Sequence, residues 1–292
     1  MNNVIKEIRR KKAKDFISKM ISNKMGLAGI VILVVFIAMA LLGPILYPFD
    51  IQKIGEVNAI MKPPSFEHLL GTDELGRDIL GYLISGSRVS MMVGLLATFI
   101  SMLIGTVLGI ISGYYDKTAG VIIMRITDFF LVIPWLPLMI VLASIMGTSI
   151  WNIIIVIGIT SWAGTARVVR SQTLSVKELQ FIERARAIGS SDSHIMKKHI
   201  LPNVFPLVIA NTVLNAAVAI TTETTLSFLG LGDATRPSWG VMLHYAFESG
   251  AMSVGAYWYF LPPGICIILV VLAFTFLGFA FDDIVNPKLK RR

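Results

Sequence analysis

Charge is scarce in this chain. Asp, Glu, Lys and Arg make up 15% of its 292 residues, against about 25% in an ordinary soluble domain. Cysteine is almost absent. The single Cys266 rules out a disulfide framework and a cysteine-built metal site, and its place in an apolar run reads as a packed thiol. No Gly-Lys dipeptide occurs, which excludes a Walker A phosphate loop. Neither His-Glu-x-x-His nor Gly-x-Ser-x-Gly is present. His68 and His244 are isolated. His194 and His199 lie five apart, a spacing that does not share one face of an α-helix. The chain therefore offers no catalytic constellation, no metal site and no cofactor site of its own. No polar stretch exceeds about forty residues, so no soluble domain is expected, and no repeat of 20 to 50 residues is visible. Alternating ten-residue segments are missing too, which excludes a transmembrane barrel.

What is present is apolar length. Hydrophobic residues reach 55% and the mean hydropathy is +0.74. Several runs approach the roughly 20 residues that cross a bilayer. The expectation is an all-α polytopic membrane protein with six transmembrane helices, at about 26–47, 88–112, 126–146, 150–169, 204–222 and 257–281. Residues 1–25 carry Lys6, Arg9, Arg10, Lys11, Lys12, Lys14, Lys19 and Lys24 against only Glu7 and Asp15. This segment is expected to lie on anionic lipid headgroups at the cytoplasmic face. Ala38-Met39-Ala40 faintly imitates a cleavage site, but the apolar run continues past it, so an uncleaved span is expected. Residues 48–87 and 223–256 form outer segments, and Tyr257, Trp258 and Tyr259 an aromatic belt. The tail 282–292 is basic and inside. Both termini are placed in the cytoplasm by the positive-inside rule, which also accounts for the net charge of +8 without nucleic acid.

Within the spans, Gly105, Gly109 and Gly113 recur every fourth residue and should let another helix approach closely. Pro134 and Pro137 should kink the third span. Charges are few and sit near span ends: Asp128, which can pair with Arg125 three residues away, Glu223, and Asp282-Asp283. None is placed at mid-membrane, so energy for transport is expected from elsewhere. Asn211 and Asn215 share one face of span five, with Asn203 and Thr222 near that line. They either bond a neighbouring helix or line a wet path. Ser144, Thr160, Ser161 and Trp162 are weaker path candidates.

The longest polar segment between apolar ones is 177–206. It reads as helix, break, helix, occupying 177–202 between spans four and five. Residues 178–188 are helix formers. Gly189 can turn the chain where a side chain would clash. Ser190, Ser191 and Asp192 are N-cap candidates for a second helix. Pro202 stops that helix or opens the next one. Ile182, Ala185 and Ile188 form a candidate apolar contact stripe.

The run Glu183-Arg184-Ala185, then Gly189, then Ile200-Leu201-Pro202 resembles the EAA loop of ABC-importer permeases, with Arg184 where that family commonly has Ala. Leu70 to Asp78 (LGTDELGRD) is similar to the signature after the first span of peptide and nickel importer permeases. Leu226 to Gly232, with Pro237-Ser238-Trp239-Gly240, is similar to their outer segment between spans five and six. Over about 25–287 the chain thus resembles the second, shorter permease of the dipeptide/oligopeptide/nickel class. The resemblance implies an importer in a bacterial or archaeal cytoplasmic membrane. Its parts would be this chain, a second permease chain, two ATP-binding subunits holding ATP and Mg²⁺, and an extracytoplasmic binding protein. Ile182, Glu183, Arg184, Ala185, Ile188, Gly189, Leu201 and Pro202 would couple to an ATP-binding subunit. Asp73, Arg77 and Trp239 would lie near the binding protein, or only brace the bundle. Cargo is expected to be peptide, with nickel chelates, opines or small glycosides as alternatives. The reading from a different class is a channel or respiratory-complex subunit that uses no nucleotide.

Overall fold

The computed structural model describes residues 2–285. The basic cluster of the tail lies outside them. Helices dominate: α1 (Asn2–Ser22), α2 (Lys24–Leu46), α3 (Ile79–Tyr114), α4 (Thr118–Val132), α5 (Trp135–Met146), α6 (Ile150–Thr160), α7 (Trp162–Lys177), α8 (Gln180–Ala187), α9 (Asp192–Ile195), α10 (Leu201–Leu226), α11 (Trp239–Glu248) and α12 (Tyr257–Val285). Among the described residues there is no β-strand, only one isolated bridge, Thr72 to Asp78. Among the described residues five helical stretches are long and apolar enough to cross a membrane, six if the bent pair α4–α5 counts as one span.

The second span begins earlier than its hydropathy suggests. α3 is 36 residues long and starts behind Asp78, whose carboxylate accepts from the Gly81 amide at 2.8 Å. The expected start, about residue 88, lies nine residues later, at the end of the polar run Ser85 to Arg88. Ser87 is nevertheless fully buried, while Arg88 turns outward on the same helix. The third span is not merely kinked. Pro134 caps α5, and α4 and α5 meet at 92°, because proline removes a backbone donor and blocks the helical path before it. Span four breaks at Ser161 and continues as α7 to Lys177, eight residues beyond the expected end at 169.

The glycine stripe of α3 performs its expected task. A methyl added at Gly105, Gly109 or Gly113 would fall 2.6–2.7 Å from the Cβ of Thr165, Val169 or Thr173. α3 and α7 therefore pack almost backbone to backbone, as small-xxx-small stripes allow. A Gly109→Val variant is expected to lose about 2–3 kcal/mol through forced overpacking. Thermal unfolding of the detergent-solubilised protein checks this; an unchanged midpoint would mean the two helices separate freely. Asp128 does not pair within its own helix. It bonds Arg167 of α7 at 2.6 Å, because α4 lies against α7.

Candidate functional site

Three places answer to the functional residues: the hairpin, a cavity in the bundle and the loop before α3. In the hairpin, α8 ends in a turn built by its own backbone. The Gly189 amide donates to the Arg186 carbonyl at 2.9 Å and the Ser190 amide to the Ala185 carbonyl at 3.0 Å. This double closure requires a left-handed residue, and Gly189 has φ +81°. Ser191 then caps α9, its hydroxyl accepting from the His194 amide. α9 does not stop at Pro202. A π-helical turn, Met196–Ile200, carries it into α10, with Pro202 two residues past the turn. From Asp192 the path stays helical as far as Gly230, whose φ of +83° kinks it.

That π turn changes a second expectation. It widens the helix to an i→i+5 closure, from the Leu201 amide to the Met196 carbonyl. His194 and His199 consequently face each other, ring centroids 5.7 Å apart, with Phe181 beside His199 at 6.1 Å. Among the described residues no group of three potential ligands surrounds them.

The proposed contact stripe is split. Ile182 and Ala185 are buried in a cluster with Ile110 and Tyr114 of α3, Val169 and Val176 of α7, and Val204 of α10. They hold the hairpin to its own bundle and are closed to any partner, because the apolar face of an amphipathic helix turns to the nearest core. Ile188 alone of the three is open, at 83% exposure. The free face of α8 carries Phe181, Glu183, Arg184 and Ile188. Arg184 therefore projects into open space, where a long side chain is accommodated.

Asp192 joins the hairpin to the end of α3. The Tyr114 hydroxyl donates to its Oδ1 at 2.6 Å and the Tyr115 hydroxyl to its Oδ2 at 3.1 Å. Those hydroxyls, Tyr114 first, hold the Asp192 carboxyl below its ordinary range. A carboxyl lowered in the folded state stabilises above its unfolded pKa, and the contribution is lost as pH falls through the lowered value. The joint is thus complete at neutral pH. Sequence reasoning treated Asp192 only as a capping residue; the adjacent Tyr114-Tyr115 pair was the available signal.

The cavity is half open and holds about 680 Å³. It lies where the α4–α5 elbow and the α6–α7 break face α10 and α12. Trp135, Thr160, Ser161, Gly164, Asn215 and Thr222 are among its walls, and none of its lining residues is charged. Asn215 lines it and also reaches toward Thr165 of α7 at 3.5 Å, so both sequence readings hold for this residue. Asn211 does not line it; its amide bonds back to the Leu207 carbonyl at 3.1 Å. Ser144 and Trp162 are also absent from the walls.

Asp73, Arg77 and Trp239 are not on the surface. Their exposures are 0%, 7% and 0%, so their side chains turn into the chain's own interior and brace it. Asp73 Oδ1 accepts from the Leu75 and Arg77 amides, closing the Gly76 turn. Its Oδ2 accepts from Arg77 Nε at 2.6 Å. Arg77 also bonds the Ile51 carbonyl and Glu74, whose other oxygen accepts from the Tyr259 hydroxyl of α12 at 2.6 Å. Burial raises the Glu74 carboxyl, against the pull of that hydroxyl. Trp239 donates its indole N–H to the Leu83 carbonyl and its amide to Ser90. Ser90 and Ser227 both donate to Glu223, which is 1% exposed. Glu223, expected at a span end, is therefore an interior carboxylate held by hydroxyls from two elements.

Residues 105–291 match the family described as binding-protein-dependent transport system inner membrane component. Residues 12–64 match the N-terminal TM domain of oligopeptide transport permease C. The chain is 37% identical to a dipeptide transport system permease protein of Bacillus subtilis, over 92% of this chain and 83% of that one. It is 35% identical to a glutathione transport system permease protein of Pectobacterium atrosepticum, over 95% and 91%. An oligopeptide transport system permease protein of Bacillus subtilis is 34% identical, over 95% and 90%. In fold it is similar to a chain of the MetNI methionine ABC transporter in an inward-facing conformation. The TM-score is 0.56 at 17% identity, covering 72% of this chain and 97% of that one. The chain belongs to the family of binding-protein-dependent transport system inner membrane components.

Proposed function

We propose that this chain is one of two permease subunits of an ATP-driven importer whose cargo is peptide. The observation that carries the reading is the hairpin: a rigid, capped element of which one face is fixed to the bundle and the other is open, continuous with α10. A hairpin built in this way can receive a push from a soluble subunit and pass it into the membrane with few free torsions. The energy source is placed on two ATP-binding subunits that carry ATP and Mg²⁺. A second permease chain closes the path, and a binding protein delivers cargo from outside. In this reading the hairpin and both termini face the cytoplasm.

Peptide cargo is supported from two sides. The similar proteins are named for dipeptide, glutathione and oligopeptide, all of them peptides. The uncharged cavity wall, with Asn215 and threonines among apolar residues, suits a backbone amide recognised without regard to side chains. The experiment is to purify the tagged chain from native membranes and reconstitute what accompanies it. ATP-binding subunits are expected to copurify, and labelled peptide should accumulate in proteoliposomes when binding protein and ATP are present. Absence of any ATP-binding partner sinks the importer reading. ATP-driven uptake of a nickel chelate or glycoside in place of peptide sinks only the cargo.

A further inference from the structure

The hairpin has two exits into the membrane. One is the unbroken helical passage into α10. The other is polar and local: the last residue of α3, Tyr114, and its neighbour Tyr115 converge on both oxygens of one carboxylate, at 2.6 and 3.1 Å. We propose that Asp192 is a positioning residue that locks the hairpin to α3, so that hairpin movement drives α3 and α10 together. The proposal rests on the coupling role given to the hairpin above.

Four observations carry it. The two tyrosine rings stand at 89° to each other, 5.1 Å apart, and so approach the carboxylate from different directions. The Arg186 guanidinium of α8 lies 5.4 Å from the Tyr114 ring centroid, which brings the first arm of the hairpin to the same joint. Ser191 caps α9 and thereby fixes the backbone that presents Asp192. Beside Asp192 and Arg186, the hairpin's Ile182, Ala185 and Ile195 share an apolar cluster with Ile110 and Tyr114 of α3. Apolar contacts are non-directional and let surfaces slide. Hydrogen bonds to a charged acceptor are directional and set a register. α3 then runs 36 residues to Ile79, past Ser90, where it meets Glu223 and Trp239. A displacement of the hairpin thus has a physical route to the opposite end of the bundle that does not pass along α10.

The test uses the whole reconstituted importer and reads cargo delivered per ATP hydrolysed, normalised to assembled complex. Asp192→Asn, which keeps one acceptor oxygen, is expected to lower that ratio about fivefold. Tyr115→Phe should lower it about twofold, and Asp192→Glu should restore it to within about twofold of the parent. Adding Tyr114→Phe to Asp192→Asn should cost less than the two effects multiplied, because both remove one bond. A merely structural role would reduce the amount of complex and leave the ratio unmoved. If Asp192→Asn prevents assembly, the Tyr114→Phe/Tyr115→Phe double variant decides, since it removes only two hydroxyls. A parental ratio in whichever of these assembles overturns the proposal. Loss of ATP-dependent uptake in the parent itself would instead overturn the importer reading.

Discussion

Replacing Gly189 by valine should reduce cargo uptake about tenfold, while Gly189→Asn retains most of it. Space is not the reason, because a methyl at Gly189 would meet nothing within 4 Å. The backbone is. At φ +81° a side-chain-bearing residue costs about 1–2 kcal/mol, and a β-branched one stands at the upper end. Since 1.4 kcal/mol is a factor of ten in an equilibrium constant, the ratio of closed to open turn should fall about tenfold. Asparagine tolerates the left-handed region and should keep the Arg186 and Ala185 carbonyls paired with the turn. The hairpin cannot relax elsewhere, because Ile182 and Ala185 are buried on one side of the turn and Ile195 and Ile200 on the other. ATP-dependent uptake into proteoliposomes is the measurement. A valine variant as active as the parent would mean the turn transmits nothing.

Trp239→Ala is expected to be the most destabilising single change in α11, at about 3–5 kcal/mol. The ring is fully buried, lies edge-on to Phe36 of α2 with centroids 5.5 Å apart, and bonds the Leu83 carbonyl at 3.0 Å. Its removal leaves a cavity between α2, α3 and α11 and ends the bond to the Leu83 carbonyl. Trp239→Phe fills most of that volume and should lose about 1 kcal/mol, the worth of the missing hydrogen bond. Thermal unfolding in detergent should show a fall on the order of 10 °C for the alanine variant and far less for phenylalanine. A photocrosslinker replacing Trp239 should not capture a binding protein. An alanine variant of parental stability that fails only in binding-protein docking would return this residue to the surface role.

Composition and spacing made the architecture readable. Apolar runs marked the spans, Gly105-Gly109-Gly113 announced the close approach to α7, and Gly189 announced the turn. What misled was the use of polarity as a sign of exposure. Ser87, Asp73, Arg77 and Glu223 are polar yet buried, because each finds its partners inside the chain. A sequence shows that such groups need partners but not where the partners come from. Periodicity failed at one place for a definite reason. A single π turn moves His199 onto the face of His194, which counting by 3.6 places elsewhere. The inward direction of Ile182 and Ala185 was equally hidden, since a lone amphipathic helix does not say which core its apolar side will join.

The helical path from Asp192 to the kink at Gly230 is about 57 Å long at 1.5 Å per residue. It is a lever arm with its short handle in the hairpin. A tilt of about 5° at that handle sweeps the far end through about 5 Å, roughly one helical turn. Glu223 and Ser227 sit near that far end, and through Ser90 they grip Trp239 at the start of α11. In the proposed importer, a rotation too small to disturb the packing around the hairpin would become a displacement of about 5 Å near Glu223.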